Sequence, residues 1–220
     1  MLKRLSKGKK KRSRKNDPER TRQDIIEIAT EEFAAHGYSG ARVDAIAART
    51  NTSKRMIYYY FGGKEQLYLA VLEYAYRNIR QTESNLKLNL LPPREAIRSL
   101  IEATFDHDDK NPNFIRLVSI ENIHRGRHLA RLPILRELNA DAIGTISDIL
   151  QRGRNEGVFK REIDPVDLHM AISSFCFFRV ANRYTFGTIF GRDLAAAELG
   201  ITHKRQICEM ILSYLSTSPE

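Results

Sequence analysis

Residues 53–65, SKRMIYYYFGGKE, contain a short helix between two clear end signals. Ser53 is a favoured N-cap residue, because its hydroxyl can accept a hydrogen bond from a free amide of the first helical turn. The helix that follows carries Lys54, Arg55 and three consecutive tyrosines before a glycine pair ends it. Lys, Arg and Tyr side chains are common hydrogen-bond donors to nucleic-acid phosphates. The segment therefore indicates a helix that lies in a phosphate-lined groove.

A second helix is expected just before this segment. Val43, Ile46 and Ala47 recur at helical spacing in residues 43–50, and a two-residue turn leads to Ser53. Two helices joined by a tight turn form a helix-turn-helix motif, whose second helix enters the major groove of DNA. We call the helix that begins after Ser53 the reader helix.

Residues 21–68 resemble, without a gap, the DNA-binding domain of the TetR family of bacterial transcriptional regulators. The resemblance is carried by the helix end at residues 33–37, the Ile46-Ala47 helix, the aromatic set Tyr58, Tyr60 and Phe61, and Lys64-Glu65 at the start of the next helix. Arg42 stands where the family usually has a Ser or Thr cap, and Gly63 where a capping Ser or Asp is common. Arg55 and Met56 occupy positions that are usually small, which predicts a base preference of this protein's own.

The resemblance implies which side chains contact DNA. Tyr58 and Tyr59 correspond to family positions that commonly touch phosphates or bases, whereas Tyr60 and Phe61 correspond to core positions. Lys64 begins the next helix, where its charge and the free amides can together hold one phosphate. The predicted DNA-binding residues are Arg42, Ser53, Lys54, Arg55, Met56, Tyr58, Tyr59 and Lys64.

The composition is that of a folded domain with a basic N-terminal extension. The chain has 220 residues, 42% of them hydrophobic, which suffices for one large or two modest domains. We find no apolar run long enough to cross a bilayer and no secretory signal. The two cysteines do not form a spaced framework, which fits a reducing compartment. The predicted location is the bacterial cytoplasm, on the nucleoid when DNA is bound.

Positive charge is concentrated at one end of the chain. Residues 1–16 hold nine Lys or Arg and no acid, and the remainder carries 27 basic and 27 acidic residues. Such a block is expected to be disordered in isolation. Beside DNA it would release counterions and raise non-specific affinity. The alternatives are a solubilising tail or a misassigned start.

Helical spacing and turn signals predict an all-α fold with no strand of useful length. An N-terminal three-helix helix-turn-helix domain is followed by a C-terminal helical bundle for ligand binding and dimerisation. The predicted division is a basic arm at 1–16, a DNA-binding domain at 17–66 and an effector-binding and dimerisation domain at 67–220. Beyond the reader helix, helices are expected at residues 64–88, 94–107, 113–124, 133–155, 165–185 and 202–216.

The last two long helices are apolar on more than one face. Phe175 and Phe178 lie in the first, and Met210 and Tyr214 in the second. A helix that is apolar all round is buried on both sides. This pattern and the resemblance predict a homodimer through these helices, with two reader helices one DNA turn apart on a near-palindromic operator.

The resemblance also implies a small-molecule pocket in the larger domain. The candidate effector-binding residues are Phe105, Phe114, Phe175 and Phe178, with Asn122, His124, Arg179 and Asn182 as polar anchors. Arg179 lies in an apolar run, and a buried charge requires a partner. That partner is either an internal carboxylate or helix end, or an anionic effector.

Metal, redox and catalytic sites are not predicted. Glu121, His124 and His128 could converge on one helical face, but the cationic residues between them indicate a helix end. Cys176 and Cys208 lie in apolar stripes, where thiols are usually inert core residues. No phosphate loop, nucleophile elbow or zinc-helix signature is present in the sequence. We therefore expect no cofactor and no enzymatic activity.

The function predicted from the sequence is a dimeric, sequence-specific transcriptional regulator, a repressor released from a double-stranded DNA operator by a small organic effector. The alternative is an architectural or cell-cycle DNA-binding protein that a protein partner controls without an effector. An empty or absent pocket would favour that alternative.

Overall fold

The computed structural model describes residues 17–218, and the predicted basic arm at 1–16 lies outside them. The described chain is helical without strands, which confirms the all-α prediction. The α-helices are α1 (Pro18–Gly40), α2 (Val43–Arg49), α3 (Lys54–Phe61), α4 (Lys64–Ser84), α5 (Pro93–Lys110), α6 (Pro112–Ile123), α7 (Ile134–Asn155), α8 (Pro165–Ala181), α9 (Arg183–Phe190) and α10 (Ala197–Ser216). Short 3₁₀ turns occupy Leu88–Leu90 and Leu129–Arg131.

Helix α1 starts and bends at the residues that its sequence indicates. The Asp17 carboxylate accepts hydrogen bonds from the amides of Glu19 at 3.1 Å and Arg20 at 3.3 Å, and Pro18 occupies the first turn. Gly37 has a φ of +68°, a conformation that glycine adopts without steric cost. The sequence predicts that the helix ends at Gly37. Instead it kinks there and continues for three residues.

The N-terminal helices share one apolar core that includes part of the larger domain. Ile25, Phe33, Ile46 and Ile57 are fully buried in it. The core continues along α4 as far as Ala75 and takes in Leu117 of α6, together with the half-buried side chains of Phe114, Leu129 and Leu132. The division at residues 66 and 67 stays a prediction, because packing is continuous across it.

A second core fills the C-terminal bundle around α5. Ile97 and Ile101 of α5 pack with Ile149 of α7, Ile172 of α8 and Cys208 of α10. Within residues 17–218, no helix combines the length and the apolar character required to span a membrane.

The three largest differences from the predicted helix ends are in α4, α8 and α10. Helix α4 ends at Ser84 rather than residue 88, and α8 ends at Ala181 rather than residue 185, after which the separate helix α9 begins. Helix α10 begins at Ala197, inside a segment predicted to be a loop because of its glycines. The Ala, Glu and Leu residues of that segment favour a helix, and Gly200 is buried within it.

Candidate nucleic-acid interface

The reader helix is α3, and its two ends are fixed by local hydrogen bonds. Ser53 Oγ accepts a hydrogen bond from the amide of Met56 at 3.2 Å, which confirms Ser53 as the N-cap. Gly62 has a φ of +84° and its amide donates to the carbonyl of Tyr58 at 2.7 Å. An eight-residue helix is marginal alone, so these caps and the packing beneath it hold its shape.

One face of α3 is buried and the other is open. Ile57 and Phe61 point into the N-terminal core, and Tyr60 is half-buried. Tyr59 is the most open, with 79% of its surface accessible. The exposed side chains of the helix are Lys54, Arg55, Met56, Tyr58 and Tyr59. The outward face therefore consists of cationic, hydroxyl and thioether groups, as expected for a surface that meets phosphates and base edges.

Lys54 is placed by two neighbours on this face. Its Nζ lies 3.3 Å from a carboxylate oxygen of Asp44 and 5.9 Å from the centre of the Tyr58 ring. Both partners of the ion pair are exposed. An exposed pair contributes little to stability, so a DNA phosphate can replace Asp44 at small cost.

Arg42 and Lys64 flank the reader helix and differ in how free their side chains are. Arg42 is exposed at the start of α2, and its amide donates to Glu32 Oε1 at 2.9 Å, which leaves the guanidinium unused by capping. Lys64 is half-buried and donates to the carbonyl of Ser39 at 3.1 Å, with Nζ 5.2 Å from the Tyr38 ring centre. Lys64 is therefore held in place and keeps only its remaining N–H groups for a phosphate.

A buried polar network joins the N-terminal helices to the larger domain. The hydroxyl of Tyr68 donates to Glu121 Oε1 at 3.0 Å, and His128 Nδ1 lies 2.8 Å from the same oxygen. The other oxygen of Glu121 accepts from the amides of His128 at 3.2 Å and Leu129 at 3.4 Å. Burial and the adjacent carboxylate raise the pKa of Tyr68, so this hydroxyl remains a donor. These contacts fix α4 against the end of α6.

The predicted effector residues do not converge on one site. Phe105 is buried in the second core, and the Arg179 guanidinium lies 4.5 Å from its ring centre. Arg179 is paired with Asp109 and donates to the carbonyl of Leu194. Of the two partners predicted for Arg179, the structure contains the internal one.

The other candidates lie on separate surfaces. Phe114 packs edge-on against the rings of Tyr76 and His107, while Asn122 is exposed at the end of α6. Asn182 caps α8 and donates to the carbonyl of Phe178 at 3.4 Å. Phe175 and Phe178 are exposed and face away from the core, and His124 is half-buried beyond α6.

A cavity of about 710 Å³ lies elsewhere in the bundle, between α4, α5, α7 and α8. It contains none of the predicted effector residues. Its wall consists of Tyr74, Arg77, Asn78, Arg80, Gln81, Glu83, Ser84, Lys87, Leu88, Asn89, Leu100, Leu138, Asp141, Ala142, Thr145, Ile146 and His169. A signal for it is present in the sequence, because polar residues interrupt the apolar pattern of α4 at Asn78 and Gln81.

Charged groups form part of the wall of this cavity. Arg80 Nη1 donates to Glu83 Oε2 at 2.6 Å. Burial raises the pKa of Glu83 despite the opposing effect of Arg80, and burial likewise raises the pKa of Asp108 nearby. The pKa of His169 is lowered, first by burial and then by Arg80. His169 is therefore a neutral donor and acceptor at pH 7.

The side chains considered for metal or redox chemistry do not form a metal or redox site in the part of the chain that the structure describes. Across residues 17–218, no group of three or more His, Cys, Asp or Glu side chains is arranged to hold a metal ion. Glu121 and His128 are hydrogen-bonded to each other. Cys176 and Cys208 are buried free thiols, and burial raises the pKa of Cys176 to about 12, which makes it unreactive at neutral pH.

Comparison with known proteins agrees with this architecture. Residues 25–71 match the model of bacterial regulatory proteins of the tetR family, and residues 93–211 match the tetracyclin repressor-like C-terminal domain. The HTH-type transcriptional repressor NicS of Pseudomonas putida is 35% identical over 83% of this chain and 86% of its own length.

Two solved structures show the same fold. A regulatory protein of the tetR family from Rhodococcus RHA1 has a TM-score of 0.70 at 19% identity, over 90% of this chain and 98% of its own. The transcriptional regulator FadR from Bacillus subtilis, solved in complex with stearoyl-CoA, has a TM-score of 0.64 at 20% identity, over 87% and 98% respectively. With both family models matched and NicS similar over most of its length, the chain belongs to the TetR family and is a DNA-binding transcriptional repressor, not an enzyme.

Proposed function

We propose that two copies of this chain bind a near-palindromic DNA operator and that a small organic effector, bound in the cavity, releases them. The observation that carries this proposal is the course of α4. The helix begins beside the reader helix, inside the N-terminal core, and its C-terminal half forms one wall of the cavity. One rigid element therefore connects the surface that meets DNA to the space that can hold a ligand.

Release follows from a difference in affinity between two arrangements. A ligand shifts an equilibrium only if it binds one arrangement better than the other. A molecule that fills the cavity would favour the position of α4 that fits around it. Because α4 packs on α1 and α3, that position would change where the reader helix points.

The DNA-contacting residues are proposed to be those predicted from the sequence. The exposed face of α3 supports Lys54, Arg55, Met56, Tyr58 and Tyr59 as the side chains that reach bases or phosphates. Arg42, Ser53 and Lys64 flank this face and are proposed to contact the DNA backbone, Ser53 while it also caps the helix.

The proposed dimer forms through α8 and α10. Phe175 and Phe178 of α8 and Met210 and Tyr214 of α10 each keep 42% to 49% of their surface accessible in one copy. Large apolar side chains that share a surface mark an interaction site. A two-fold axis beside these helices would bury the same residues of both copies and bring two reader helices to one DNA molecule.

The site of action is proposed to be the bacterial cytoplasm, where the operator lies. The arm at residues 1–16 is proposed to contact DNA without reading its sequence, since charge alone drives such binding.

Selection of bound fragments from host genomic DNA by the purified full-length protein tests this function. We expect recovery of a palindromic consensus that survives high salt and deletion of residues 1–15. The logarithm of the binding constant falls linearly with the logarithm of the salt concentration, and the deletion should make this slope shallower by about 0.9 for each phosphate that the arm neutralises. The double variant Lys54→Gln, Arg55→Gln should lose the consensus, and Arg98→Gln, an exposed change on α5, should keep it.

The basic arm favours one other function, an architectural DNA-binding protein that a protein partner controls. Nine positive charges in 16 residues would bind DNA of any sequence. Diffuse recovery of fragments that disappears in high salt and requires the arm would support this function and overturn the operator proposal.

A further inference from the structure

Arg80 forms part of the cavity wall and uses only part of its hydrogen-bonding capacity. Its side chain is 12% accessible, and Nη1 donates to Glu83. Its Nε is buried and has no acceptor among residues 17–218. A guanidinium carries five N–H groups in a rigid plane that matches the two oxygens of a carboxylate. Arg80 therefore presents to the cavity a cationic donor whose N–H groups are only partly used by Glu83.

The remaining charges around the cavity favour an anion over a cation. Glu83, the acidic residue of the inner wall, is already bound to Arg80. Asp141 is exposed, and so is Lys87, which adds a further positive charge to the lining. A ligand cation would meet only Asp141 as an unpaired carboxylate, whereas a ligand carboxylate would meet the N–H groups of Arg80 that Glu83 leaves free.

The rest of the lining indicates a compact molecule. The apolar part of the wall consists of Leu88, Leu100, Leu138, Ala142 and Ile146. Most other lining groups are amides, hydroxyls or charged side chains, including Asn78 and Thr145. Because polar side chains outnumber apolar ones around the wall, a ligand with a short chain or a single ring and polar substituents matches it.

We propose that the cavity binds a compact organic carboxylate, whose oxygens accept hydrogen bonds from Arg80 and whose apolar part packs on Leu100 and Ile146. His169 belongs to the same wall and can exchange a hydrogen bond with a polar group of the ligand. This inference rests on the proposed function, since it assigns the chemical class of the effector.

The test compares carboxylates with matched neutral and cationic compounds on the full-length protein. The probes are benzoate with benzamide and benzylamine, and hexanoate with hexanamide and hexylamine, measured by calorimetry and by thermal unfolding. We expect at least one carboxylate to bind at least tenfold more tightly than its amide and amine and to raise Tm. Binding of no carboxylate, or equal or tighter binding of the amide or amine, overturns the assignment.

Variants place the binding in this cavity. Arg80→Gln should remove the preference for carboxylate over amide, and circular dichroism verifies its fold, because it also loses the Glu83 pair. Ala142→Phe, one helical turn from Ile146, narrows the cavity on its α7 side and should weaken binding of both compounds. Arg98→Gln, outside the cavity, is the matched arginine control and should bind as the wild type does. Unchanged carboxylate preference in Arg80→Gln or unchanged binding in Ala142→Phe contradicts the proposal.

Operator binding separates this inference from the function on which it rests. If the protein selects a palindromic consensus but binds no carboxylate, the assignment of the effector as a carboxylate is overturned and the operator proposal is kept. Carboxylate binding without an operator removes the operator proposal and leaves the ligand site in place. The two together predict that the bound carboxylate lowers operator occupancy in a footprint.

Discussion

The hydroxyl of Tyr68 and the carboxylate of Glu121 are hydrogen-bonded at 3.0 Å in the buried interior, 53 residues apart in sequence. Tyr68 belongs to the start of α4, and Glu121 to the end of α6. Besides Tyr68 of α4, the partners of this carboxylate are His128 and the amide of Leu129, in the segment that follows α6. The bond therefore joins α4, which packs against the reader helix, to the end of α6 in the larger domain.

Tyr68→Phe should lower the free energy of unfolding by about 1 kcal/mol, because one hydrogen bond is removed while Glu121 keeps its other donors. Urea denaturation measures the change. Tyr59→Phe is the matched control, since its ring is exposed, and it should leave stability unchanged. Equal stability of Tyr68→Phe and wild type would show that the bond contributes nothing.

On the reader helix, Tyr58→Phe should weaken operator binding by about 1 kcal/mol if the hydroxyl holds a phosphate. Stability should not change, because Tyr58 is exposed. Fluorescence anisotropy with the selected operator gives the affinity. Tyr60→Phe, at a half-buried position of the same helix, should bind as the wild type does, and the reverse ranking of these two variants would contradict the assignment.

Phe178→Glu should separate the proposed dimer, because it places a charge at an apolar contact of α8. We expect a monomer in sedimentation equilibrium and an operator affinity reduced by about tenfold or more, in the range expected when a hot-spot residue is removed. Leu90→Glu makes the same change at an exposed leucine that belongs to neither α8 nor α10, and should leave the dimer intact. A dimer that survives Phe178→Glu would place the interface elsewhere.

The lowered pKa of His169 predicts a pH dependence of stability. The unfolded chain, in which this imidazole has its ordinary pKa of 6.5, binds a proton more readily than the folded chain does. Stability from this group is therefore complete above pH 6.5 and falls as the pH drops below that value.

The measurement compares wild type with His169→Gln between pH 7.5 and 5.5. As the pH falls, the wild type should lose more free energy of unfolding than His169→Gln does. The pH is not lowered further because burial raises the pKa values of Glu83 and Asp108. Protonation of these two carboxyl groups in the folded chain increases stability as the solution becomes more acidic, which is opposite to the effect of His169. A constant difference across the range would contradict the prediction.

The N-terminal helices could be predicted from the sequence because their signals are local. Ser53, Gly62 and the Asp17-Pro18 start act within one helical turn. The buried side of α3 also follows from spacing, since Ile57 and Phe61 are four residues apart on one face. The family resemblance supplied the roles of the exposed side chains, which spacing alone does not.

The cavity could not be predicted in the same way, because its wall comes from four helices that are distant in sequence. Phe105 was predicted to line the effector pocket because it is apolar, but a buried Phe most often packs in a core, as Phe105 does here. The partner of Arg179 illustrates the same difficulty. Asp109 lies 70 residues away, and only the packing of α5 against α8 brings the two together.

The shared N-terminal core limits how the DNA-recognition unit can be exchanged between related proteins. Residues of α4 as far as Ala75 and Leu117 of α6 complete the interior beneath the reader helix. A chimaera joined at residue 66 would place a foreign surface against Leu117 and leave a void or a clash. Successful grafts onto this scaffold will need to carry α4 through Ala75 and adapt α6 to it. The exposed side chains of the reader helix can therefore be exchanged one by one, whereas the core beneath them can be exchanged only together with its partners in α4 and α6.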